Sequence, residues 1–216
     1  MTDRTLSGID ACVFDAYGTL FDVNSATSPT LSDLGDKAGL LNRIWREKQL
    51  QYTWLRVAQG RHADFWQVTG DALDFSLDIL GISNSGLRRR LMEAYLTLHA
   101  YQDVFPVLDR LKAAGFKLAI LSNGTPKMLA SAVSSAGLAG KFAAVLSVEE
   151  AGVFKPHPLV YRLAVDRFGI APGSIAFISS NGWDAYAASA FGMRAVWCNR
   201  TAQKPERLPG EPDLVL

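Results

Sequence analysis

The second half of the chain alternates between helix-like and strand-like runs, and this alternation constrains the fold more than any other feature. Apolar, strand-like runs lie at 117–121, 142–146, 174–178 and 194–197. Helix-like runs lie at 104–114, 126–136, 159–168 and 184–191. Strands that alternate with helices predict a parallel sheet that is covered on both faces. With a first strand at 9–14 and a last edge strand at 213–216, we expect a doubly wound, Rossmann-like α/β core.

One long segment, residues 23–100, interrupts the alternation. After a polar stretch at 23–30 it contains no convincing strand pattern, and its apolar residues recur at helical spacing. The first helical stripe comprises Leu40, Leu41, Ile44, Trp45, Tyr52 and Leu55. Further helices are predicted at 63–80 and 86–99. We therefore expect a core of residues 1–22 and 101–216, with residues 23–100 inserted after the first strand as a helical cap.

Composition and charge exclude several classes of protein. The chain has 216 residues and a formal net charge of +1, so no strong field attracts nucleic acid or an anionic membrane surface. No apolar run approaches the roughly 18 residues of a membrane span, and the first residues do not resemble a signal peptide. Cys12 and Cys198 lack metal-site spacing, which indicates buried free thiols in a reducing compartment. We expect a cytoplasmic protein without nucleic-acid or membrane partners.

Polar residues follow four of the predicted strands or lie in the loops beyond them. Asp15 ends the first strand and precedes the turn formed by Gly18 and Thr19, a pattern that by itself also fits an ordinary capped turn. The later clusters are Ser122-Asn123-Gly124, Lys155-Pro156-His157-Pro158, and Ser179-Ser180-Asn181-Gly182-Trp183-Asp184. Because the carboxyl ends of parallel strands meet at one edge of the sheet, we expect these clusters to form one site. His157 is interpreted as a loop or capping residue.

These motifs resemble the haloacid dehalogenase superfamily over essentially the whole chain. The resemblance rests on Asp15-x-Tyr17-Gly18-Thr19-Leu20, Ser122-Asn123-Gly124, Lys155-Pro156 and Ser179-Ser180-Asn181-x-Trp183-Asp184. In the cap, Ile44-Trp45-Arg46-x-Lys48-Gln49-Leu50-x-Tyr52-Thr53-Trp54-Leu55-Arg56 resembles the L-2-haloacid dehalogenases themselves. The resemblance implies a nucleophilic Asp15, a homodimer and a small halogenated carboxylate as the substrate.

The residues also separate two branches of the superfamily. The resemblance implies that phosphatases carry a second Asp two positions after the nucleophile and hold Mg²⁺ with several carboxylates, whereas Tyr17 stands at that position here. Asp15 and Asp184 alone are few ligands for a hard cation that prefers oxygen. Lys155 can supply the positive charge in place of a metal. We therefore expect a reaction without a metal or other cofactor.

The predicted mechanism is attack by Asp15 on C2 of an (S)-2-haloacid, formation of an aspartyl ester, and hydrolysis of that ester with overall inversion at C2. Thr19 and Ser179 are expected to position Asp15, Ser122 to bind the substrate carboxylate, and Tyr161 to orient Lys155. Water is expected to be activated around Lys155, Asn181 and Asp184.

An anionic substrate beside an anionic nucleophile also requires cations and N–H donors. Arg46 and Asn123 are predicted to form a halide cradle or a substrate clamp, although Arg46 also fits a surface charge paired with Glu47. Tyr17, Phe65 and Trp183 are predicted to form apolar walls around C2, although each also fits core packing. Fluoroacetate is a further candidate substrate. The alternatives left open are a Mg²⁺-dependent small-molecule phosphatase and a non-catalytic protein that binds a small carboxylate.

Overall fold

The computed structural model of the protein describes residues 5–216, which contain one six-stranded sheet. Its strands are β1 (Ala11–Phe14), β2 (Lys117–Ser122), β3 (Ala144–Ser147), β4 (Ile175–Ser179), β5 (Arg194–Trp197) and β6 (Leu214–Val215). The spatial order is β3-β2-β1-β4-β5-β6, and every neighbouring pair is parallel. The predicted α/β parallel sheet and its edge strand at 213–216 are therefore confirmed.

Helices connect the strands and cover the sheet. The α-helices are α1 (Leu31–Leu34), α2 (Ala38–Gln59), α3 (Phe65–Ile79), α4 (Ser85–Ala94), α5 (Val104–Ala113), α6 (Pro126–Ser135), α7 (Pro158–Phe168) and α8 (Gly182–Phe191). Short 3₁₀ helices lie at Val23–Thr30, Gly35–Lys37, Val148–Glu150 and Pro172–Ser174. Right-handed crossovers place α5 and α6 on one face of the sheet and α7 and α8 on the other.

The direction of winding reverses at β1, which lies between β2 and β4. The chain leaves β1 toward β2 and β3, and then returns past β1 to form β4 and β5. In open α/β sheets, ligands bind at such a reversal, outside the carboxyl ends of the strands. Asp15 directly follows β1, and its backbone N–H donates to the carbonyl oxygen of Ile178 in β4 (2.9 Å). The fold therefore places Asp15 at its topological switch point.

The segment between β1 and α5 is helical, as predicted, and α2 packs against α3. The polar stretch at 23–30, for which no structure was predicted, forms a 3₁₀ helix that Asp22 caps by accepting from the Asn24 N–H. One local prediction was wrong, because the helix predicted at 86–99 ends at Ala94. It ends early because the chain returns toward β1, where Ala100 forms an isolated antiparallel bridge with Phe21. The boundaries of the two predicted domains stay a prediction.

Capping and burial follow the sequence pattern closely. Thr125 accepts from the Met128 N–H with Pro126 as the first residue of α6, and His157 caps α7 through its Nδ1. Cys12 is buried, but Cys198 is only half-buried, so the expectation of two buried thiols was wrong for Cys198. Within residues 5–216, no helix combines the length and apolar character that a membrane crossing requires.

Candidate active site

The carboxylate of Asp15 lies at the centre of the site and is 5% exposed. Its Oδ1 accepts from the Lys155 ammonium (3.0 Å). Its Oδ2 accepts from the Thr19 hydroxyl (3.0 Å) and from the side-chain amide of Asn181 (2.8 Å). Donors from three separate loops thus hold one buried carboxylate, and they offset the cost of removing its charge from water.

Lys155 forms a second ion pair, because its Nζ also donates to Oδ2 of Asp184 (2.8 Å). Oδ1 of Asp184 accepts from the Tyr161 hydroxyl (2.7 Å). The predicted orientation of Lys155 by Tyr161 thus has a route through Asp184. Since the ammonium group and the hydroxyl occupy different oxygens of one carboxylate, Tyr161 reaches Lys155 only through Asp184. We call Lys155, Asp15, Asp184 and Tyr161 the lysine cluster.

Burial and charge act in opposite directions within the lysine cluster. Burial lowers the pKa of Lys155, but the carboxylates of Asp15 and Asp184 outweigh burial and raise that pKa above its ordinary value. Burial raises the pKa of Asp184 above its ordinary value, against the lowering effect of Lys155. Burial, and then the neighbouring Asp184 carboxylate, raise the pKa of Tyr161. The ammonium group thus stays charged, and Asp184 is a stronger base than an exposed Asp.

Arg46 approaches the same site from α2 of the helical segment. Its Nη2 donates to the backbone oxygen of Tyr17 (3.2 Å) and to Oδ1 of Asn181 (3.1 Å), and its Nη1 donates to Oε1 of Gln49 (2.8 Å). Among residues 5–216, no ion pair joins Arg46 to Glu47. Arg46 therefore faces the site and does not form the surface pair that the sequence left open.

The remaining predicted polar residues line the site more indirectly. Ser122 is fully buried and accepts from the Gly124 N–H (3.1 Å), which leaves its hydroxyl hydrogen available to donate. Asn123 accepts from the backbone N–H of Lys155 (3.0 Å). Ser179 accepts from the Asn181 N–H (3.2 Å). Thr19 and Asn181 contact Asp15 directly, and Ser179 reaches Asp15 only through its hydrogen bond with Asn181.

The predicted aromatic walls separate into two places. Tyr17 and Phe65 are buried and pack together with ring centroids 5.7 Å apart. Trp183 instead packs edge-to-face on Trp54 of α2 (5.5 Å) and lines an apolar groove of about 730 Å³ together with Tyr161. The structure therefore brings Tyr17 and Phe65 together, whereas Trp183 contacts the helical segment.

A polar cleft of about 590 Å³ opens beside these residues. It is lined by Arg46 and Asn181 and by the further basic residues Arg43 and Arg200, with Glu47 at its side. Arg46 and Asn181 thus lie between this cleft and Asp15. Three arginine side chains thus line the cleft next to Asn181, whose amide donates to Asp15.

Comparison with known proteins identifies the family. A family profile described as haloacid dehalogenase-like hydrolase matches residues 9–192, from before β1 to the end of α8. The chain is 46% identical to (S)-2-haloacid dehalogenase 1 of Pseudomonas sp. (strain CBS-3) over 205 residues, which cover 94% of this chain and 90% of that protein. It belongs to the haloacid dehalogenase family.

Further relatives agree with this family assignment. The chain is 42% identical to (S)-2-haloacid dehalogenase 4A of Burkholderia cepacia over 202 residues, which cover 93% of this chain and 87% of that protein. The structure of L-2-haloacid dehalogenase from Xanthobacter autotrophicus with covalently bound chloropropionic acid matches with a TM-score of 0.90 and 38% identity, covering 96% of this chain and 94% of that chain. The resemblance to haloacid dehalogenases drawn from the sequence motifs is confirmed.

Sequence reasoning missed two residues of this haloacid dehalogenase site. Gln49 is buried and accepts from Arg46, and its Oε1 also accepts from the Tyr95 hydroxyl (3.1 Å). The ring of Tyr95 stacks on Tyr17 (5.4 Å). Gln49 lay inside the cap motif but had no assigned role, while Tyr95 carried no signal beyond helical spacing. We call Arg46, Gln49, Tyr95 and Asn181 the arginine cluster.

Proposed function

We propose that the protein hydrolyses short (S)-2-haloalkanoic acids to (R)-2-hydroxy acids through an ester on Asp15. The observation that carries the proposal is the asymmetric setting of the Asp15 carboxylate. Oδ1 accepts from the Lys155 ammonium alone among its recorded side-chain donors, whereas Oδ2 accepts from both Thr19 and Asn181. Oδ1 thus keeps a lone pair that can attack carbon. Oδ2 already accepts two hydrogen bonds, one from Thr19 and one from Asn181. The 46% identity to an (S)-2-haloacid dehalogenase supports the same reaction.

In the first step, Oδ1 of Asp15 attacks C2 opposite the halogen. The new C2–O bond forms as the carbon–halogen bond breaks, and halide leaves with the bonding electrons. Arg46 and Asn123 stabilise the anion that leaves or the substrate carboxylate, and the free hydroxyl hydrogen of Ser122 binds the carboxylate. Tyr17 and Phe65 exclude water from C2. One displacement inverts the configuration at C2.

In the second step, water attacks the carbonyl carbon of the ester. Oδ2 then becomes the oxyanion, and the donors from Thr19 and Asn181 stabilise it without rearrangement. Asp184, whose pKa burial raises, accepts the proton of the water. Collapse breaks the bond between Oδ1 and the carbonyl carbon, and Asp184 returns its proton to the departing oxygen, which frees the hydroxy acid. The regenerated carboxyl group of Asp15 then releases its proton to solvent and becomes a carboxylate again. C2 is not attacked again, so the inversion persists.

We further propose that the reaction needs no metal. The Lys155 ammonium lies 3.0 Å from Asp15 and 2.8 Å from Asp184, the two carboxylates of the site that would be available to hold a cation. Among residues 5–216, no group of three or more His, Cys, Asp and Glu side chains is arranged to hold a metal ion. A fixed ammonium group thus supplies positive charge where a phosphatase would bind Mg²⁺. A cytoplasmic homodimer and fluoroacetate as a substrate are also proposed.

The test is halide release from L- and D-2-chloropropionate and from fluoroacetate, with EDTA present throughout. We expect release from the L-isomer, unchanged by the chelator, and an (R)-2-hydroxy acid as the product. Asp15→Asn should reduce turnover by at least a thousandfold, a loss typical of removing a nucleophile. A single turnover in ¹⁸O-labelled water should place the label in Asp15. Phosphate release from phosphate esters that depends on Mg²⁺, without halide release, would favour the phosphatase instead.

A further inference from the structure

Arg46 differs from the other arginines that form side-chain contacts in the site region and in the helical segment. Five of these arginines are paired with carboxylates: Arg56 with Asp71, Arg88 with Asp74, Arg89 with Glu93, Arg90 with Asp33, and Arg200 with Asp103. The recorded acceptors of Arg46 are all neutral oxygens, namely a backbone carbonyl and two side-chain amides. Hydrogen bonds therefore orient the Arg46 guanidinium group, but no carboxylate pairs with its positive charge.

Gln49 is the residue that sets this orientation from the helical side. Its side chain is 1% exposed, and its Oε1 accepts from both Arg46 (2.8 Å) and Tyr95 (3.1 Å). Its Nε2 donates to Oγ1 of Thr69 (2.7 Å), whose hydroxyl in turn donates to the backbone oxygen of Phe65 (2.6 Å). Because the Thr69 hydrogen is used, Thr69 must accept from Gln49, and the amide has only one orientation that satisfies every partner.

We propose that Gln49 is a positioning residue that aims the Arg46 guanidinium at the substrate site while leaving its charge uncompensated. The proposal rests on the proposed dehalogenase function, because it requires an anionic substrate. A glutamate at this position would keep the same shape and could accept from both Arg46 and Tyr95. It would, however, convert the neutral contact into a buried ion pair and remove the net positive charge that the substrate meets.

Whether Arg46 contacts a neutral amide or a carboxylate affects substrate binding, because Arg46 lies close to the nucleophile. Its Nη2 contacts Asn181 (3.1 Å), and the amide nitrogen of Asn181 donates to Asp15 (2.8 Å). Asn181 alone thus links the guanidinium group to the nucleophile Asp15. The guanidinium group also lines the polar cleft. Substrate and transition state carry the same total charge. An uncompensated cation at this distance therefore stabilises both states, and its loss appears mainly in KM.

The decisive comparison is Gln49→Glu against Gln51→Glu. Gln51 lies on the same helix but is exposed and accepts only from Lys48 (2.8 Å), so its substitution adds the same charge away from the site. We expect Gln49→Glu to raise KM for L-2-chloropropionate at least tenfold with kcat within threefold of wild type, and Gln51→Glu to leave both within twofold.

In Gln49→Glu, Arg46 and Tyr95 remain donors, whereas the Thr69 hydroxyl must turn away from the Phe65 oxygen to donate to the new carboxylate. We therefore expect the thermal midpoint to fall by no more than about 5 °C, since losing one hydrogen bond costs about 1 kcal/mol.

Tyr95→Phe provides a second and milder test. It removes one hydroxyl donor from Gln49 while keeping the stacked ring, and we expect a two- to fivefold rise in KM. Unchanged KM in both Gln49→Glu and Tyr95→Phe would overturn the proposal, as would a loss confined to kcat. A wild-type protein that releases no halide would refute the proposed function instead, so the two failures are distinguishable.

Discussion

Two cations face the substrate site in opposite electrostatic surroundings. Lys155 is 1% exposed and is held between two carboxylates, Asp15 and Asp184. Arg46 is half-buried, and its recorded acceptors are neutral oxygens. The core therefore compensates its buried charges within the protein, whereas the helical segment presents a charge that is free to attract an anion.

This difference separates two tasks that the proposed chemistry requires. A buried nucleophile must stay ionised, and the ammonium group beside Asp15 provides the opposite charge that this needs. An anionic substrate must then approach that same nucleophile, and only an uncompensated cation offsets the repulsion. The lysine cluster thus stabilises the negative charge of the buried nucleophile. The arginine cluster stabilises the negative charge of the incoming substrate.

The largest effect is expected from removing the compensated cation. Lys155→Met leaves Asp15 and Asp184 buried without their shared partner, so we expect a loss of about 3–5 kcal/mol in the free energy of unfolding. Activity should fall below detection. Urea unfolding followed by circular dichroism measures the stability change.

Two matched variants test whether that loss comes from unpaired charge. Lys141→Met breaks an ion pair with the exposed Asp109 and should cost at most about 1 kcal/mol. Adding Asp184→Asn to Lys155→Met removes one of the stranded carboxylates and should restore part of the stability. If the double variant is less stable than Lys155→Met, the loss reflects packing instead.

Removing the uncompensated cation should affect activity far more than stability. Arg46→Met breaks no ion pair, and Gln49 keeps the Tyr95 hydroxyl as a donor, so we expect at most about 1 kcal/mol of lost stability. We expect kcat/KM for L-2-chloropropionate to fall about a hundredfold, mainly through a higher KM, because the anionic substrate then meets no uncompensated cation. Unfolding and steady-state kinetics on the same preparation check both. A stability loss as large as that of Lys155→Met would remove the contrast between the two clusters.

The smallest effect concerns a group that lies between the two clusters. The hydroxyl of Tyr17 is buried and has no hydrogen-bond partner within residues 5–216, and its burial raises the pKa of Tyr17 well above the ordinary value. Tyr17→Phe removes that unsatisfied group while it keeps the ring contacts with Phe65 and Tyr95. We therefore expect a gain of about 1 kcal/mol in the free energy of unfolding.

Kinetics then show whether the Tyr17 hydroxyl contributes to binding. If the ring acts only as an apolar wall, kcat/KM should stay within threefold of wild type. Gly124→Ala is the opposite perturbation, because an added Cβ would lie 2.7 Å from Cε2 of Tyr17 and would displace the ring. Normal activity in Gly124→Ala would show that the position of the ring is unimportant.

Local periodicity was sufficient for most of the fold. The helix and strand types between Val104 and Trp197 follow from apolar spacing, glycine stops and the Thr125-Pro126 cap, each of which acts within a few residues. The errors arose where a distant contact decided the outcome. The helix α4 stops at Ala94 because the chain must return to pair with Phe21, which lies far away in the sequence.

For the candidate site, residue types at strand ends predicted which loops would converge, and the cap motif pointed to Arg46. They did not predict the pairing within the site. Tyr161 was expected to orient Lys155, but the sequence did not show that the link runs through Asp184. Trp183 packs on Trp54 instead of joining Tyr17 and Phe65. Hydrogen bonds and ring contacts depend on differences of a few tenths of an ångström. Spacing along the chain does not contain that information.

The sequence by itself determined the alternating architecture and the chemical groups that end its strands, because periodicity and capping are local properties of the chain. The tertiary structure alone decided which charges are compensated. Lys155 and Asp15 are 140 residues apart, and Arg46 and Asn181 are 135 apart, yet each pair forms a direct hydrogen bond. Whether a cation meets a carboxylate or an amide depends on the order of strands in the sheet and the packing of α2 above it. Those features arise only when the whole chain folds.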